Sequence, residues 1–451
     1  MTISATTPVQ ATQPPTKTWS TVPVSTVARS TVNPIRQVIE RLHKLVKDHQ
    51  NASGGVALST NEPISLSIGD PTVFGNFKTH PEVNNAVRKQ LDSFGANGYG
   101  PSYGLLAARE AVARHCTTPA APLTAGDVIL TSACSGALEI ALMCLAEAGQ
   151  NILIPRPGFS LYKMLAVARG VEVREYPLLP ERNWEIDIEA FSSLVDDRTA
   201  VAVINNPSNP CGSVFTKTHL QDILAVCEAR QLPVIADEIY GDMVFGTSDA
   251  AGSDDEGSHD VSGIPPKFHP LATLTATVPI LTVGGLAKQW LVPGWRIGWI
   301  LIHDQRNLFS NVRQGLLDLT TTLLGPNTLI QAALPDIFQN VPASFYADTT
   351  AQLAQHARLA QRLLSQIPGL QVIVPQGAMY MMVGIHIQDF TGIRDDVEFA
   401  TRLILEQRVE VLPGQCFDYP NYFRIVLAPP KDKLEEACHR IAQFCAKYYQ
   451  V

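Results

Sequence analysis

Polar residues follow four predicted β-strands at the point where each apolar run ends. Since ligands of open parallel sheets bind outside the carboxyl ends of the strands, these polar segments are expected to meet in one site. Together they offer an anion-binding turn, an amide, a carboxylate, a phenol and an amine. The polar segments are 132–135, 205–212, 237–240 and 284–288, which follow the apolar runs 128–131, 200–204, 234–236 and 281–283.

These functional groups match the chemical needs of pyridoxal phosphate. The aldehyde of that cofactor needs a lysine amine to form a Schiff base, and Lys288 offers one. Its ring nitrogen needs a carboxylate such as Asp237, so that the protonated ring can act as an electron sink. Its phosphate needs backbone N–H groups at a helix N-terminus together with a cation. The residues therefore predict a pyridoxal phosphate site.

The motif around Lys288 resembles the signature of class I pyridoxal phosphate-dependent aminotransferases. Arg296 follows Lys288 by eight residues in A-K-Q-W-L-V-P-G-W-R-I-G-W, and N-P-S-N-P-C-G and A-D-E-I-Y are two further marks of that family. The likeness extends from about Thr31 to the C-terminus. Five stretches are most similar to the tyrosine-specific branch: T-V-N-P-I-R, S-L-S-I-G-D-P-T-V-F-G-N, P-R-P-G-F-S-L-Y-K, D-E-I-Y-G-D-M-V-F and G-A-M-Y-M-M-V-G-I.

The resemblance implies a role for each polar residue. Lys288 would hold the cofactor as an aldimine and then move the proton from the substrate Cα to C4′ of the cofactor. Asp237 would pair with the ring nitrogen, and Tyr240 and Asn209 would bond the ring oxygen. Phe159 would stack on the ring. Taken outside the motif, Asp237 could cap a helix, Asn209 could belong to a turn and Phe159 could be a core aromatic.

The phosphate end departs from the family pattern. The resemblance assigns the phosphate to Arg296, Ser135 and the backbone N–H groups of Ala133 and Cys134. Ala133 replaces the glycine usual in the tyrosine-specific branch, and Gly136 replaces a glutamine. Backbone donors tolerate both changes, but a side-chain contact from position 136 is lost. Arg296 and Ser135 are therefore expected to carry more of the phosphate binding, since arginine suits bidentate phosphate contacts.

Three residues outside these segments are expected to complete the site. Arg424, in N-Y-F-R-I-V, matches the family arginine that holds the substrate α-carboxylate, with Asn209 beside it and the Gly69 backbone nearby. Tyr99, in N-G-Y-G-P, matches the tyrosine that reaches the phosphate of the neighbouring subunit. This match implies a homodimer with shared active sites, whereas the simpler interpretation of Tyr99 is a turn aromatic.

The resemblance implies ping-pong transamination through the Lys288 aldimine and pyridoxamine phosphate. The expected donor is tyrosine or another aromatic L-amino acid, and the expected role is in tyrosine catabolism. The expected acceptor is 2-oxoglutarate, with pyruvate and oxaloacetate open. No single residue in the sequence identifies how one pocket would accept both an aromatic ring and a dicarboxylate.

Other functions stay open on the same residues. An alanine or kynurenine aminotransferase, a C–S lyase or an aminocyclopropane-carboxylate synthase would also keep Lys288, Asp237 and Arg424. A non-catalytic binding protein of the same fold is disfavoured because Lys288 is present and no basic N-terminal module precedes it. A nicotinamide-dependent dehydrogenase is disfavoured because no G-x-G-x-x-G motif follows a strand.

The segments between the strands are long enough for crossover helices, which predicts an α/β fold. The resemblance specifies it as fold type I, with a mostly parallel seven-stranded sheet in a large domain and a smaller α+β domain. The short link from 283 to 297 leaves little room for a helix, so the last strand is a candidate for antiparallel pairing. The seven predicted strands are 128–131, 152–155, 171–176, 200–205, 233–236, 279–283 and 297–302.

Composition marks two irregular segments, and the resemblance implies the division of the rest into two domains. Residues 1–30 are rich in Thr, Ser, Pro and Val, which predicts a disordered tail. Residues 80–340 are expected to form the large cofactor-binding domain, and 247–264, rich in Gly, Ser and Asp, an acidic loop insertion within it. Residues 31–79 and 341–451 are expected to form the small domain, with long helices at 344–366 and 431–449.

The whole-chain composition excludes several classes of protein. The 451 residues carry a net charge of −8, which argues against a nucleic-acid partner. No apolar run approaches about 18 residues, so no membrane span is predicted. The eight cysteines form no C-x-x-C pair and the histidines show no metal-ligand spacing, so neither disulfides nor a metal are expected. The absence of a predicted disulfide framework favours a cytoplasmic protein. A mitochondrial protein is less favoured, because residues 1–30 are not rich in arginine as a transit peptide would be.

Overall fold

The computed structural model describes residues 21–52, 61–246 and 266–450. The predicted insertion 247–264 and residues 1–20 of the predicted tail lie outside the described residues. In the remaining part of the tail, Thr26–Ser30 form a short helix where irregular structure was expected. The Ser25 hydroxyl caps this helix by accepting the Ala28 N–H, since the first N–H groups of a helix lack an intrahelical partner.

Thirteen α-helices lie in the described part of the chain. Most are amphipathic and bury one face, as α10 does with Ile330, Leu334 and Ile337. In chain order they are α1 Thr26–Ser30, α2 Pro34–Ala52, α3 Pro81–Ser93, α4 Leu106–Cys116, α5 Ala133–Leu145, α6 Leu161–Ala168, α7 Ile188–Ser193, α8 Lys217–Ala229, α9 Ser310–Thr320, α10 Thr328–Asn340, α11 Ala343–Leu364, α12 Asp396–Gln407 and α13 Lys431–Tyr448.

The same residues contain fourteen β-strands, which form three sheets. In chain order they are β1 Ile64–Ser65, β2 Val128–Ser132, β3 Asn151–Arg156, β4 Glu172–Leu179, β5 Glu185–Ile186, β6 Thr199–Asn205, β7 Val234–Asp237, β8 Ile280–Gly285, β9 Ile297–His303, β10 Leu370–Val372, β11 Tyr380–Ile385, β12 Val409–Glu410, β13 Leu412–Pro413 and β14 Tyr422–Val426.

The large sheet has the strand order β2-β9-β8-β7-β6-β3-β4-β5. All seven predicted strands are present, and β5 adds an eighth of two residues, too short to show a hydrophobic pattern in the sequence. The pairs among β8, β7, β6, β3 and β4 are parallel. Strand β9 pairs antiparallel with both β2 and β8, which confirms the prediction made from the short link before it.

Both faces of the large sheet are buried, as a parallel sheet covered by helices requires. Along β6, Val201 and Val203 pack into one hydrophobic cluster with α5 and α6, whereas Ala202 and Ile204 pack into another with α8. Each such aliphatic side chain contributes roughly 1.5–3 kcal/mol relative to exposure. The carboxyl ends of β6, β7 and β8 are thereby held together at one edge of the sheet.

The small domain is built on the antiparallel sheet β10-β11-β14-β13, with α11, α12 and α13 packed around it. The predicted long helices correspond to α11 and α13. Strand β1 pairs in parallel with β12, so a segment near residue 64 joins the C-terminal part of the chain. This pairing brings residues 67–70 to the edge of the large sheet, where Gly69 meets Lys288.

Candidate active site

A cavity of about 560 Å³ lies where the carboxyl edge of the large sheet meets the small domain. Its wall includes eleven of the twelve residues predicted for the site, and Tyr99 is the exception. Segments far apart in the chain therefore converge, as the rule for parallel sheets predicts. The eleven are Gly69, Ala133, Cys134, Ser135, Phe159, Asn209, Asp237, Tyr240, Lys288, Arg296 and Arg424.

Lys288 extends into the cavity from the turn that follows β8. Its Nζ donates a hydrogen bond of 2.6 Å to the carbonyl oxygen of Gly69, which belongs to the early segment beside β1. The same atom lies 5.6 Å from the centre of the Tyr240 ring. Gly69 has no room for a side chain, because a Cβ would lie 2.3 Å from the Tyr380 hydroxyl. The amine is thus held at the junction of the two domains.

Asp237 is the last residue of β7 and is only 3% exposed. Its Oδ2 accepts a hydrogen bond of 2.6 Å from the Tyr162 hydroxyl, and its Oδ1 accepts the Ile239 N–H at 3.3 Å. Burial raises the pKa of the Asp237 carboxyl, and the Tyr162 hydrogen bond opposes that shift. The described structure gives Asp237 no ion pair, so a cationic ligand group in the cavity would offset the cost of its burial.

Two tyrosines meet beside Lys288. The hydroxyls of Tyr240 and Tyr380 are 2.7 Å apart, and both rings are buried. Burial raises the pKa of Tyr240 well above its ordinary value, so this phenol stays protonated and can donate a hydrogen bond. Tyr380 was not assigned a role from the sequence, although it lies within G-A-M-Y-M-M, one of the stretches that carried the resemblance.

Arg424 lies on β14, 3% exposed, with its guanidinium on the cavity wall. Its Nη1 donates to Asn209 Oδ1 at 2.9 Å and its Nη2 to the Ser67 carbonyl oxygen at 2.5 Å. Its Nε has no hydrogen-bond partner, and no carboxylate of the described residues pairs with it. Burial lowers the pKa of this guanidinium. A buried cation without a counter-ion is costly, so the site is suited to a ligand carboxylate.

The start of α5 forms the other end of the cavity. The N–H of Ala133 does not match its predicted role as a phosphate donor, because it donates instead to the Arg296 carbonyl oxygen at 3.1 Å. Cys134 and Ser135 follow in the first turn, where helix N–H groups face outward and favour anions. The Arg296 side chain lines the same end, with Nη1 donating to the Pro293 carbonyl oxygen at 3.1 Å.

A close backbone approach holds this anion-binding end together. A Cβ at Gly298 would lie 2.3 Å from the carbonyl carbon of Ala133 and 2.5 Å from the nitrogen of Cys134. Strand β9 can therefore reach the first turn of α5 only with glycine at this position.

The Gly298→Ala variant is expected to lose about 1–3 kcal/mol of the free energy of unfolding, because its methyl group would push α5 away from β9. Urea denaturation measures the loss. Gly294→Ala is the matched control, since a Cβ at Gly294 meets no atom within 4 Å. Equal stability of the two variants would contradict the proposed tight approach.

Tyr99 does not reach the cavity of its own chain. It is 94% exposed on the loop after α3, so the structure leaves its predicted contact with a neighbouring subunit as a prediction. In the described residues no helix has the length and hydrophobicity needed to cross a membrane. The same residues contain no cluster of three or more His, Cys, Asp or Glu side chains suited to a metal ion.

The family model for "Aminotransferase class I and II" matches residues 61–441. This match includes every residue of the cavity except Asn33 and those on α2. The chain is a class I and II aminotransferase.

Relatives with known names are similar over nearly the whole length of this aminotransferase. The tyrosine aminotransferase of Mus musculus is 52% identical over 432 residues, which cover 96% of this chain and 88% of the relative. The tyrosine aminotransferase of Homo sapiens is 50% identical with the same coverage. The crystal structure of tyrosine aminotransferase from Leishmania infantum superposes with a TM-score of 0.84 at 33% identity, covering 96% of this chain and all of that one.

The cavity of the aminotransferase thus offers two sets of contacts. One end presents helix N–H groups and Arg296 to an anion. The Lys288 amine, the buried Asp237 carboxyl and the Arg424 guanidinium line the same cavity. Such an arrangement can hold an amino acid by its carboxylate while an amine moves a proton at the neighbouring carbon.

Proposed function

We propose that this aminotransferase transfers the amino group of tyrosine, and of related aromatic L-amino acids, to a 2-oxo acid with pyridoxal phosphate as cofactor. The observation that carries the proposal is the single cavity lined by Lys288, Asp237 and the incompletely paired Arg424. The tyrosine donor is supported by the 50–52% identity to the mouse and human tyrosine aminotransferases.

The residues of the cavity fit pyridoxal phosphate on three counts. The Asp237 carboxylate has only neutral donors around it and would take the protonated ring nitrogen. The first turn of α5, Ser135 and Arg296 would hold the phosphate. Phe159 lies on the cavity wall, where its ring can cover one face of the cofactor ring. When bound, the cofactor supplies an electron sink for the bond electrons released at the substrate Cα.

The chain's own groups position the substrate and move the proton. Arg424 can receive the α-carboxylate through Nη1 and Nη2, each of which has one acceptor in the chain and a second N–H to donate, and this would fix the amino group toward Lys288. Lys288 would be the base that takes the proton from the substrate Cα and holds it on its amine. Burial raises the pKa of Tyr240 and keeps its hydroxyl protonated, and this hydroxyl would donate to the cofactor's ring oxygen.

The aromatic ring of a donor has an apolar surface available in the same cavity. Ile35 and Ile39 of α2 line it, together with Ile68, Leu138 and Ile239. Burying an aromatic side chain against such residues stabilises the complex by about 25 cal/mol for each Å² removed from water. This surface supports an aromatic substrate.

We also propose that the aminotransferase is a homodimer. Several large apolar side chains stay exposed on neighbouring loops, including Tyr99, Leu323 and Leu324. A hydrogen bond of 2.8 Å between the Ser102 and Thr320 hydroxyls joins these loops into one surface. Exposed apolar side chains close together on a protein of this size are typical of a subunit interface. The family resemblance predicts that Tyr99 of one copy reaches the phosphate end of the cavity in the other.

The proposed function is tested by incubating the protein and pyridoxal phosphate with tyrosine and, in turn, 2-oxoglutarate, pyruvate and oxaloacetate. The expected result is 4-hydroxyphenylpyruvate together with glutamate, with 2-oxoglutarate the best acceptor. Alanine and a cysteine conjugate serve as comparison substrates in parallel reactions. Activity confined to alanine, or release of ammonia and pyruvate from the cysteine conjugate, would overturn the proposal.

A further inference from the structure

Tyr162 lines the cavity but was not assigned a role from the sequence, although it lies in P-R-P-G-F-S-L-Y-K. It is the second residue of α6 and is fully buried. Its hydroxyl donates a hydrogen bond of 2.6 Å to Asp237 Oδ2. That length lies in the range of charge-assisted O–H···O⁻ bonds, which are about 2.5–2.7 Å. The phenol is therefore matched to an ionised carboxylate.

The other contacts of Asp237 are weaker. Its Oδ1 accepts the Ile239 N–H at 3.3 Å and the Cys134 thiol, whose sulfur lies 3.7 Å away. An ionised carboxylate can accept about four hydrogen bonds, so one acceptor position is left for a ligand. Since Asp237 lines the cavity, that position is available to a group bound there.

We propose that Tyr162 is a positioning residue, whose hydroxyl keeps Asp237 ionised and oriented to accept the ring N–H of the cofactor. The inference rests on the proposed pyridoxal phosphate site. A neutral carboxyl would lose the charge that attracts a protonated ring nitrogen. The hydrogen bond from Tyr162 favours the charged form, because a donor stabilises the carboxylate more than the acid.

The same tyrosine also sets the position of the stacking aromatic. The rings of Tyr162 and Phe159 meet edge to face, with centres 5.8 Å apart and planes at 89°. Phe159 is expected to cover the cofactor ring, and Tyr162 holds the carboxylate at the ring nitrogen. One buried side chain thus fixes the two groups that contact different parts of the same ring.

The Tyr162→Phe variant tests the proposal, because it removes only the hydroxyl and keeps the packed ring. The cofactor-free protein is titrated with pyridoxal phosphate at a series of pH values, and quenching of tryptophan fluorescence gives the dissociation constant. Affinity is expected to fall by about 10- to 100-fold, the range for a hydrogen bond to a charged group. As the pH is lowered, the affinity for pyridoxal phosphate is expected to fall when Asp237 takes up a proton. In Tyr162→Phe this fall is expected at a higher pH, because the pKa of Asp237 rises when the hydroxyl is removed.

Tyr176→Phe is the matched control. Tyr176 is also buried, and its hydroxyl donates at 2.7 Å to the Val203 carbonyl oxygen rather than to a carboxylate. This control is expected to bind pyridoxal phosphate as tightly as the unaltered protein and to lose affinity at the same acidic pH. The positioning role would be overturned if Tyr162→Phe lost affinity at the same pH as the unaltered protein. It would also be overturned if Tyr176→Phe showed the same change in that pH as Tyr162→Phe. Failure of the unaltered protein to bind pyridoxal phosphate would instead overturn the proposed cofactor, and this inference with it.

Discussion

The Lys288→Ala variant is expected to retain the fold and to lose about 10⁴-fold or more of the rate of amino transfer from tyrosine. Positioned general acid–base groups contribute about 10²- to 10⁴-fold to a rate, and Lys288 would also supply the covalent attachment of the cofactor. No other lysine lines the cavity in the described part of the chain, so no second amine stands ready to replace it.

The loss is measured by single-turnover reaction of the protein loaded with pyridoxal phosphate, following formation of 4-hydroxyphenylpyruvate. Lys89→Ala is the matched control, because Lys89 lies on α3 and pairs with Asp336 on the surface. The control is expected to react at the rate of the unaltered protein. If Lys288→Ala kept more than a tenth of that rate, Lys288 would not be the base.

The Arg424→Met variant is expected to lose about 10²- to 10³-fold in kcat/KM for tyrosine. Removing one partner of a buried charged hydrogen-bonded pair costs about 2–5 kcal/mol, and here the pair would form between the guanidinium and the substrate carboxylate. Methionine fills similar space without charge, so the effect should appear mainly in the affinity for amino acids and 2-oxo acids. The affinity for pyridoxal phosphate should change little, because the phosphate end lies at α5.

Steady-state kinetics with tyrosine and with tyramine, which lacks the carboxylate, separate this role from a structural one. The ratio of kcat/KM for tyrosine to kcat/KM for tyramine is expected to fall in Arg424→Met. Arg440→Met is the matched control, since Arg440 is also buried in the small domain but donates to the Glu62 and Gln407 carbonyl oxygens. The Arg440→Met variant is expected to be less stable and to keep the same tyrosine-to-tyramine ratio of kcat/KM as the unaltered protein. Identical kinetics for tyrosine in the two variants would contradict carboxylate binding by Arg424.

The elements of the large domain could be predicted because their hydrophobic patterns are local. Runs such as 200–204 are buried on both faces in the structure and show as unbroken apolar stretches in the sequence. Strand β5 and helix α1 could not be predicted, because two and five residues are too few to show a period. Their formation depends on the partners that the folded chain supplies, an edge of β4 for one and the Ser25 cap for the other.

The site residues divide in the same way. Asp237 and Lys288 were predictable because polar residues at the ends of parallel strands meet by a general rule. Tyr162 was not, because its hydroxyl reaches Asp237 only through the packing of α6 against the sheet. The hydrogen bond of the Ala133 N–H could not be predicted from the sequence either, since it depends on how closely β9 approaches α5.

The hydrogen bond between Arg424 and Ser67 spans 357 positions of the chain, and the one between Lys288 and Gly69 spans 219. A chain growing on the ribosome presents residues 67–69 and Lys288 before Arg424 has been made. Arg424, the group proposed to bind the carboxylate, is therefore the last of the described cavity residues to be added during synthesis, and a product that stops before β14 lacks it entirely. On this proposal, recognition of an amino-acid carboxylate can begin only once nearly the whole chain has left the ribosome.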